Sequence, residues 1–173
     1  DSPMRADFDR QIPIQVRNEF KGAMSCNGNG LCFNFDVHST MCPSMKVSGN
    51  RLFSPKGRAT LIREWLRLLA EQNISPDKLL AQSQSTSAKL IEFVQQLRHQ
   101  FSRHKTYDFS HEVKAAMDTC LACKACASQC PIKIDVPTFR SQFNQLYHQR
   151  YLRPIKDPVV ANLEFVAPLM AKQ

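Results

Sequence analysis

The stretch CLACKACASQCP, residues 120–131, dictates how this chain is organised. Its spacing is C-x2-C-x2-C-x3-C-P, in which two residues between cysteines make a tight turn. The sulfurs of Cys120, Cys123 and Cys126 are thereby aimed at three corners of one iron–sulfur cube, and the chain turns away before Cys130. In proteins with two clusters, the fourth cysteine of such a run ligates the other cluster. The run therefore predicts a [4Fe-4S] cluster and implies a second cluster.

An altered copy of this run lies upstream. Five residues separate Cys26 from Cys32, which equals the separation between the first and third cysteines of the downstream run. Asn29 occupies the middle position, where the downstream run has a cysteine. After nine further residues comes Cys42, which precedes a proline just as Cys130 does. The upstream copy is therefore a run with its central cysteine missing and its tail lengthened.

The crossing rule assigns the cysteines to two centres. The downstream centre takes the tight run and one distant cysteine: Cys42, Cys120, Cys123 and Cys126. The upstream centre takes the remaining three: Cys26, Cys32 and Cys130. Three thiolates hold either a [3Fe-4S] cluster or a labile [4Fe-4S] cluster with a non-cysteine ligand, and both alternatives stay open. The local candidates for that ligand are Asn29, Asp36 and His38, although a solvent-exposed loop histidine is the favoured interpretation of His38.

Cysteine usage argues against a secreted disulfide framework. The chain has seven cysteines, an odd number, and four of them fall within the eleven residues from Cys120 to Cys130. Such a crowded set suits metal binding in a reducing compartment better than core disulfides. A structural zinc module is the competing interpretation, although zinc sites prefer paired-ligand spacings. For the upstream centre, unligated buried thiols are a further alternative.

Composition indicates a helical domain of modest size. The chain has 173 residues, of which 43% are apolar and only 5 are glycine. No stretch approaches the roughly 18 consecutive apolar residues that a membrane span needs, and no signal peptide opens the chain. The first residue is Asp1 rather than methionine, so we expect a piece of a longer protein.

The formal net charge of +8 suits an anionic partner or an anionic cofactor. A basic stretch, residues 98–105, lies beside Phe101 and Tyr107, which makes a nucleic-acid surface one hypothesis. A solvated helix end is the favoured interpretation of that stretch, so we predict no nucleic-acid partner. An iron–sulfur cluster with its thiolates is an anion that the positive charge would offset.

Hydrophobic periodicity predicts an all-α fold. Ser54-Pro55 is an N-cap followed by a proline, and the apolar residues after it recur at helical spacing, so a helix is predicted over 55–71 with Trp65 in the core. Further helices are predicted over 87–103, 111–120 and 136–151, and a last one begins at Asp157-Pro158. Residues 26–53 are predicted to form an irregular loop with short turns.

These elements suggest three segments. Residues 1–25 are predicted to be a linker arm, with four apolar residues that dock it: Ile12, Ile14, Val16 and Phe20. Residues 26–155 are predicted to be the iron–sulfur domain, and residues 156–173 a C-terminal helix that leads to an absent domain.

The residues Lys56-Gly57-Arg58 open the helix that follows Cys42. Two interpretations carry equal weight. Either these residues donate hydrogen bonds and positive charge to a cluster and raise its reduction potential, or they form a solvated first turn. A glycine within a first helical turn indicates close packing against another stretch of backbone.

These motifs resemble the α-helical ferredoxin domain in the iron–sulfur subunits of succinate dehydrogenase, glycolate oxidase and anaerobic glycerol-3-phosphate dehydrogenase. Residues 54–58, SPKGR, are similar to the S-P-R-G-R that opens the helix after the first motif in that family. Succinate dehydrogenase also has a run whose middle cysteine is replaced and which binds a [3Fe-4S] cluster, and Asn29 stands at the matching position here. The resemblance implies an α-helical ferredoxin-like fold with irregular cysteine-rich loops.

A closer resemblance is to the large bacterial FAD-linked D-2-hydroxyglutarate dehydrogenases. It rests on CNGNGLCFNFDVHSTMCPS (26–44), SPKGRATLIREWLRLLA (54–70) and CLACKACASQCPIKIDVPTFRSQF (120–143), and it covers roughly residues 5–170. In that family a FAD-binding oxidase region precedes the iron–sulfur domain and a cysteine-rich region follows it. The long spacing from Cys32 to Cys42 departs from the simple ferredoxin run and leaves the geometry of the upstream centre open.

This resemblance implies an electron relay. Flavin reduced by a 2-hydroxy acid, in an absent FAD-binding domain, would pass electrons singly through this chain to an acceptor that the sequence does not identify. The implied partners are the FAD-binding oxidase domain and the cysteine-rich domain of the same polypeptide. A cytoplasmic location follows, with peripheral association at the inner face of the membrane as an alternative. The chain has no Gly-rich phosphate loop, no Ser/His/Asp arrangement and no H-E-x-x-H motif, so we predict no catalytic residue within it.

Replacing Asn29 with cysteine tests the upstream centre. An amide is a poor iron ligand beside thiolate, so the iron at that corner should be lost readily in air. Asn29→Cys restores the complete cysteine spacing and is expected to give a stable [4Fe-4S] cluster. EPR spectra and iron analysis of oxidised protein measure this change. If the wild type shows no [3Fe-4S] signal and holds only about four iron atoms per chain, as one cubane needs, then the upstream centre holds no cluster.

Overall fold

The computed structural model describes residues 3–74 and 107–154, together with the isolated positions 76, 157, 160 and 162. Within this part of the chain all regular structure is helical and no residue lies in a strand, which confirms the predicted fold class. The described α-helices are α1 (Arg5–Asp9), α2 (Ile14–Glu19), α3 (Lys21–Met24), α4 (Pro43–Ser48), α5 (Pro55–Glu71), α6 (Ser110–Asp118), α7 (Ala125–Gln129) and α8 (Val136–Arg150). Two 3-10 turns span Leu31–Phe33 and Arg51–Phe53. None of the described helices combines the length and apolar character that crossing a membrane requires.

Helix α5 is the central element, and its bounds match the predicted 55–71. The Ser54 hydroxyl accepts a hydrogen bond from the Gly57 N–H at 3.0 Å, and Pro55 takes the first helical position, where its missing N–H is not needed. The buried face of the helix includes Leu61, Ile62, Trp65, Leu66 and Leu69. Through this face α5 packs against α3, α6 and α8.

Trp65 joins these elements at the middle of the core, as predicted. Its ring lies edge-on to Phe143 of α8, with ring centroids 4.8 Å apart, and to Phe20, with centroids 6.3 Å apart. The indole N–H donates to the Ser110 hydroxyl at 2.9 Å, so the polar atom is satisfied although Trp65 is buried. A single side chain therefore connects α5 to the N-terminal segment, to α6 and to α8.

The N-terminal segment is helical and docks on the core through a narrower set of residues than predicted. Ile12, Val16 and Phe20 are buried, whereas Ile14 is 65% exposed, so the prediction was wrong for Ile14. The reason is geometric: α2 begins at Ile14, and on a helix a residue two positions before Val16 faces away from the side that Val16 buries. The segment boundaries at residues 25 and 155 stay predictions.

Helices α6 and α8 bring the second cysteine run to the core. They occupy 110–118 and 136–150, close to the predicted 111–120 and 136–151. The Asp135 carboxylate caps α8 by accepting from the Thr138 N–H at 3.3 Å. The predicted apolar face of α8 is buried, with Phe139, Phe143, Leu146 and Tyr147 all inward.

The loop between Cys26 and Phe53 contains more regular structure than predicted. It holds α4 and both 3-10 turns, and several of its turns are closed by Asn or Asp side chains that accept from a backbone N–H two residues on. The Lys46 ammonium on α4 donates to the carbonyl oxygens of Asp36 and Ser39, which fastens the long stretch before Cys42 onto this helix.

Three predicted features lie outside the described residues. They are the helix at 87–103, the basic stretch at 98–105 and most of the helix that begins at Asp157-Pro158.

Gly57 is the position in α5 that tolerates no side chain. A Cβ at Gly57 would overlap the carbonyl oxygens of Arg51 and Leu52 and would lie 2.7 Å from the carbonyl carbon of Leu52. We expect Gly57→Ala to lower the free energy of unfolding by about 3 kcal/mol, because backbone on both sides must move. Denaturant unfolding measures the change. Thr60→Ala on the exposed side of the same helix is the control and should change stability by less than about 0.5 kcal/mol. Equal stability of the two variants would show that the close approach does not hold.

Candidate metal centre

The structure brings cysteines from two distant parts of the chain to one cavity. The cavity is lined by all four predicted members of the downstream centre: Cys42, Cys120, Cys123 and Cys126. Cys42 and Cys126 are buried, Cys120 is half-buried and Cys123 is exposed at the mouth. No group of three or more His, Cys, Asp or Glu side chains in the described residues lies close enough to hold a single metal ion.

The loop that carries three of these cysteines has an unusual backbone. Ala122 and Lys124, the residues on either side of Cys123, have φ values of 53° and 58°. This left-handed conformation is unfavourable for residues other than glycine, so surrounding structure must enforce it. Turns of this kind direct successive backbone N–H groups into a concavity that suits anions, including iron–sulfur clusters.

The first turns of two long helices also face the cavity. Pro55 and Arg58 line it from α5, and Val136 and Pro137 line it from α8. The amino-terminal end of a helix carries partial positive charge on its unpaired N–H groups. Both ends therefore favour a negatively charged occupant.

The Cys42 sulfur is held by polar groups on several sides. Cys42 itself has a φ of 43°, and Pro43 then starts α4. The sulfur lies 3.4 Å from the carbonyl oxygen of Phe53 and 3.6 Å from the Ser44 hydroxyl oxygen, and an Arg58 N–H donates to it at 3.7 Å. Its position is therefore set by the start of α4 and the start of α5 together.

Arg58 is the most informative residue that the cysteine pattern did not single out. Its side chain is 1% exposed, so the interpretation of its turn as solvated is wrong for this residue. None of the ion pairs in the described part of the chain involves it. A buried guanidinium without a carboxylate partner needs another anion nearby. The four-cysteine cavity is the place for that anion, so the residues present fit an iron–sulfur cluster.

Burial sets the acidity of two of the thiols. Burial raises the pKa of the Cys126 thiol, as do the neighbouring Cys120 and Asp135, while the backbone N–H of Val136 lowers it. Burial likewise raises the pKa of Cys32, against the backbone N–H of Lys56. A raised thiol pKa means that the protonated form predominates at neutral pH unless a metal displaces the proton.

The upstream centre is assembled less completely. Cys26 is among the groups that raise the pKa of the Cys32 thiol. Cys32 is buried beside the first turn of α5, and Cys26 and Cys130 are half-buried. The structure thus brings Cys26 to Cys32, and it leaves the membership of Cys130 as a prediction.

The three candidate non-cysteine ligands are exposed. The Asn29 side-chain oxygen accepts from the Leu31 N–H at 3.1 Å, and an Asp36 carboxylate oxygen accepts from the His38 N–H at 3.0 Å. Both side chains therefore serve local turns, and His38 lies in an exposed loop as the favoured interpretation expected.

A family model described as "4Fe-4S dicluster domain" matches residues 22–134. This span is more than half of the chain and includes all seven cysteines. The chain belongs to this family. The dicluster domain accounts for both the tight downstream run and its altered upstream copy.

Curated relatives match this chain along nearly its whole length. A protein named D-2-hydroxyglutarate dehydrogenase from Haemophilus influenzae is 69% identical over 173 residues, which are 99% of this chain and 17% of that protein. Proteins of the same name from Escherichia coli and Pantoea ananatis are 60% and 61% identical over 173 residues, with the same coverage. The chain thus spans about one sixth of the length of these relatives. The search of solved structures found no significant match.

Cys42 and Cys130 provide a matched test of the crossing rule. We expect Cys42→Ser to strip or convert the [4Fe-4S] cluster, as Cys120→Ser should, because Cys42 lines the cavity with the tight run. Cys130→Ser should leave that cluster in place. EPR of the reduced protein, together with iron analysis, measures both. An intact [4Fe-4S] signal in Cys42→Ser that is lost in Cys130→Ser would reverse the assignment.

Proposed function

We propose that this dicluster domain is the electron relay of a larger FAD-linked 2-hydroxy acid dehydrogenase, whose substrate is D-2-hydroxyglutarate. In this proposal a [4Fe-4S] cluster is bound by Cys42, Cys120, Cys123 and Cys126. A second cluster, [3Fe-4S] or labile [4Fe-4S], is bound by Cys26, Cys32 and Cys130. Iron–sulfur clusters supply reversible one-electron transfer.

The observation that carries the proposal is the shared cavity of the four cysteines. Cys42 comes from one end of the dicluster domain and the other three from the opposite end, yet they line one space beside the buried charge of Arg58. Zinc sites prefer paired-ligand spacings. The C-x2-C-x2-C-x3-C-P spacing and the match to a 4Fe-4S dicluster family support a polynuclear cluster over the zinc alternative.

The residues around the cavity have definable tasks in this relay. Burial of Cys42 and Cys126 keeps water from two of the ligands. The N–H groups at the start of α8 and the guanidinium of Arg58 lie next to sulfur, where they stabilise negative charge. At the mouth, Cys123 and Lys124 are exposed, so electrons have a short path to a partner surface there.

The other parts of the relay lie outside this chain. The names of the relatives support oxidation of the hydroxy acid, and their lengths support further domains on the same polypeptide. We propose that one of these domains binds the flavin that oxidises the hydroxy acid. A hydride equivalent carries two electrons, whereas a cluster accepts one at a time, so two clusters in series suit the hand-over from flavin. We further propose the cysteine-rich domain of the same polypeptide as a partner. We place the protein in the cytoplasm, with the inner face of the membrane as a peripheral site, because thiols and clusters persist in reducing compartments.

A two-stage measurement on the full-length protein tests the relay. Anaerobic protein should contain about seven or eight iron atoms with matching sulfide, as two clusters require. Mixing it with D-2-hydroxyglutarate and freezing rapidly should reveal EPR signals of reduced clusters after the flavin bleaches. In Cys120→Ser the flavin should still bleach while the [4Fe-4S] signal is missing. Flavin that bleaches while dithionite-reducible clusters stay oxidised would contradict the relay.

A further inference from the structure

We propose that Arg58 is a positioning residue that braces the two halves of the downstream centre and raises its reduction potential by holding a fixed positive charge against the Cys42 sulfur. The inference rests on the proposed binding of a cluster by the downstream centre. Within the Lys56-Gly57-Arg58 turn, the proposed role belongs to Arg58 alone, because of the groups that its guanidinium contacts.

The contacts of Arg58 reach both halves of the centre. On the side of the tight run, its Nε donates to the Ala116 carbonyl oxygen at 2.9 Å and its Nη2 donates to the Thr119 hydroxyl at 2.7 Å. Thr119 directly precedes Cys120. On the other side, Nη2 donates to the Ser44 hydroxyl at 3.1 Å and Nη1 donates to the Cys42 sulfur at 3.7 Å. One side chain therefore links the segment before Cys120 to the segment around Cys42.

The planar guanidinium of Arg58 donates hydrogen bonds in several directions at once, like a fork. Three different nitrogens serve four acceptors in different directions, which a planar and rigid group can do. A lysine ammonium could supply the charge but could not hold all four acceptors in fixed relation. The hydrogen bonds by which Arg58 braces the two halves, and the positive charge that it supplies, can therefore be removed separately by substitution.

The charge of Arg58 is available to the cluster because its other acceptors are neutral. A carbonyl oxygen and two hydroxyls satisfy its N–H groups without cancelling its charge. Reduction of the cluster adds one electron from the donor without breaking any bond, so the site gains one negative charge. A fixed buried cation stabilises that extra charge, which favours the reduced form and raises the potential.

Arg67 on the same helix provides the matched control. It carries the same charge, but it is paired with Glu64 at 2.6 Å and Glu71 at 3.3 Å on the outer side of α5. Arg67→Met therefore removes the same formal charge from the same helix without touching the downstream centre.

The first experiment is an EPR-monitored redox titration of full-length protein with dithionite. Arg58→Met should lower the potential of the [4Fe-4S] couple, with at least a tenfold fall in the equilibrium constant for reduction, which is 59 mV for one electron. Arg58→Lys should retain most of the potential but lose cluster faster in air, because it keeps the charge and loses the fork. Arg67→Met should match the wild type in both. An unchanged potential in a fully loaded Arg58→Met protein would overturn the role of the charge.

The second experiment tests the brace without a cluster. Full-length apo-protein is treated with mild thiol oxidant, and disulfides are mapped by mass spectrometry. Among disulfides that join upstream cysteines to the tight run, wild type and Arg67→Met should favour those of Cys42 over those of Cys26 and Cys32, because only Cys42 shares the cavity with the run. Arg58→Met should lose this preference at least several-fold. If the wild type shows no preference, or Arg58→Met retains it, the brace is wrong. A protein that never holds a [4Fe-4S] cluster would refute the proposed function instead, while this measurement still decides the brace.

Discussion

The approach of Gly57 to the carbonyl oxygens of Arg51 and Leu52 places the start of α5 against the 3-10 turn before it. Both centres depend on this contact. It brings the Phe53 carbonyl oxygen and the Arg58 guanidinium into contact with the Cys42 sulfur. It also directs the backbone N–H of Lys56 toward Cys32. A side chain at position 57 would separate these groups from the sulfurs that they contact. The Ser54 cap is one part of the same arrangement, since it fixes where the helix begins.

From this first turn the rest of α5 extends into the core and organises the long helices. Trp65 contacts the N-terminal segment, α6 and α8, so the helices that deliver the second cysteine run are packed on the helix that follows the first. The cavity walls are thus tied to a rigid core rather than to the loops alone. Rigid support of this kind is what keeps ligands in place when a site gains or loses charge.

Local signals explain which parts of the fold could be predicted from sequence. Ser54-Pro55 and Asp135 are caps whose effect is felt within one turn, so the starts of α5 and α8 follow directly from the sequence. Helix α4 was missed although Cys42-Pro43 has a proline at the same first position, because a helix of six residues gives too short a periodic pattern. The orientation of Ile14 was missed because no helix was predicted within the linker arm, and the start of α2 at Ile14 decides which way its side chain faces.

The candidate site could also be predicted only where its signals are local. Cysteine spacing predicts which sulfurs share a turn, but the burial of Arg58 depends on Ala116 and Thr119, which lie far away along the chain. Pairing of distant segments leaves no local pattern, so neither the brace nor the neutral character of its acceptors was visible in the sequence. The motif around Gly57 was the one available signal, since a glycine there implied a close backbone contact.

The division of the cavity wall between two ends of the domain has a consequence for biosynthesis. Its walls come from Cys42 to Arg58 on one side and from Cys120 to Pro137 on the other. While the ribosome is still making the intervening residues, the first half of the site has no second half to meet. The two halves can meet only after the first turn of α8 has been synthesised and the long loop between them has closed. In the proposed relay, the downstream centre can therefore take up its cluster only after both halves have been translated, and a chain truncated before Cys120 supplies only Cys42 to it.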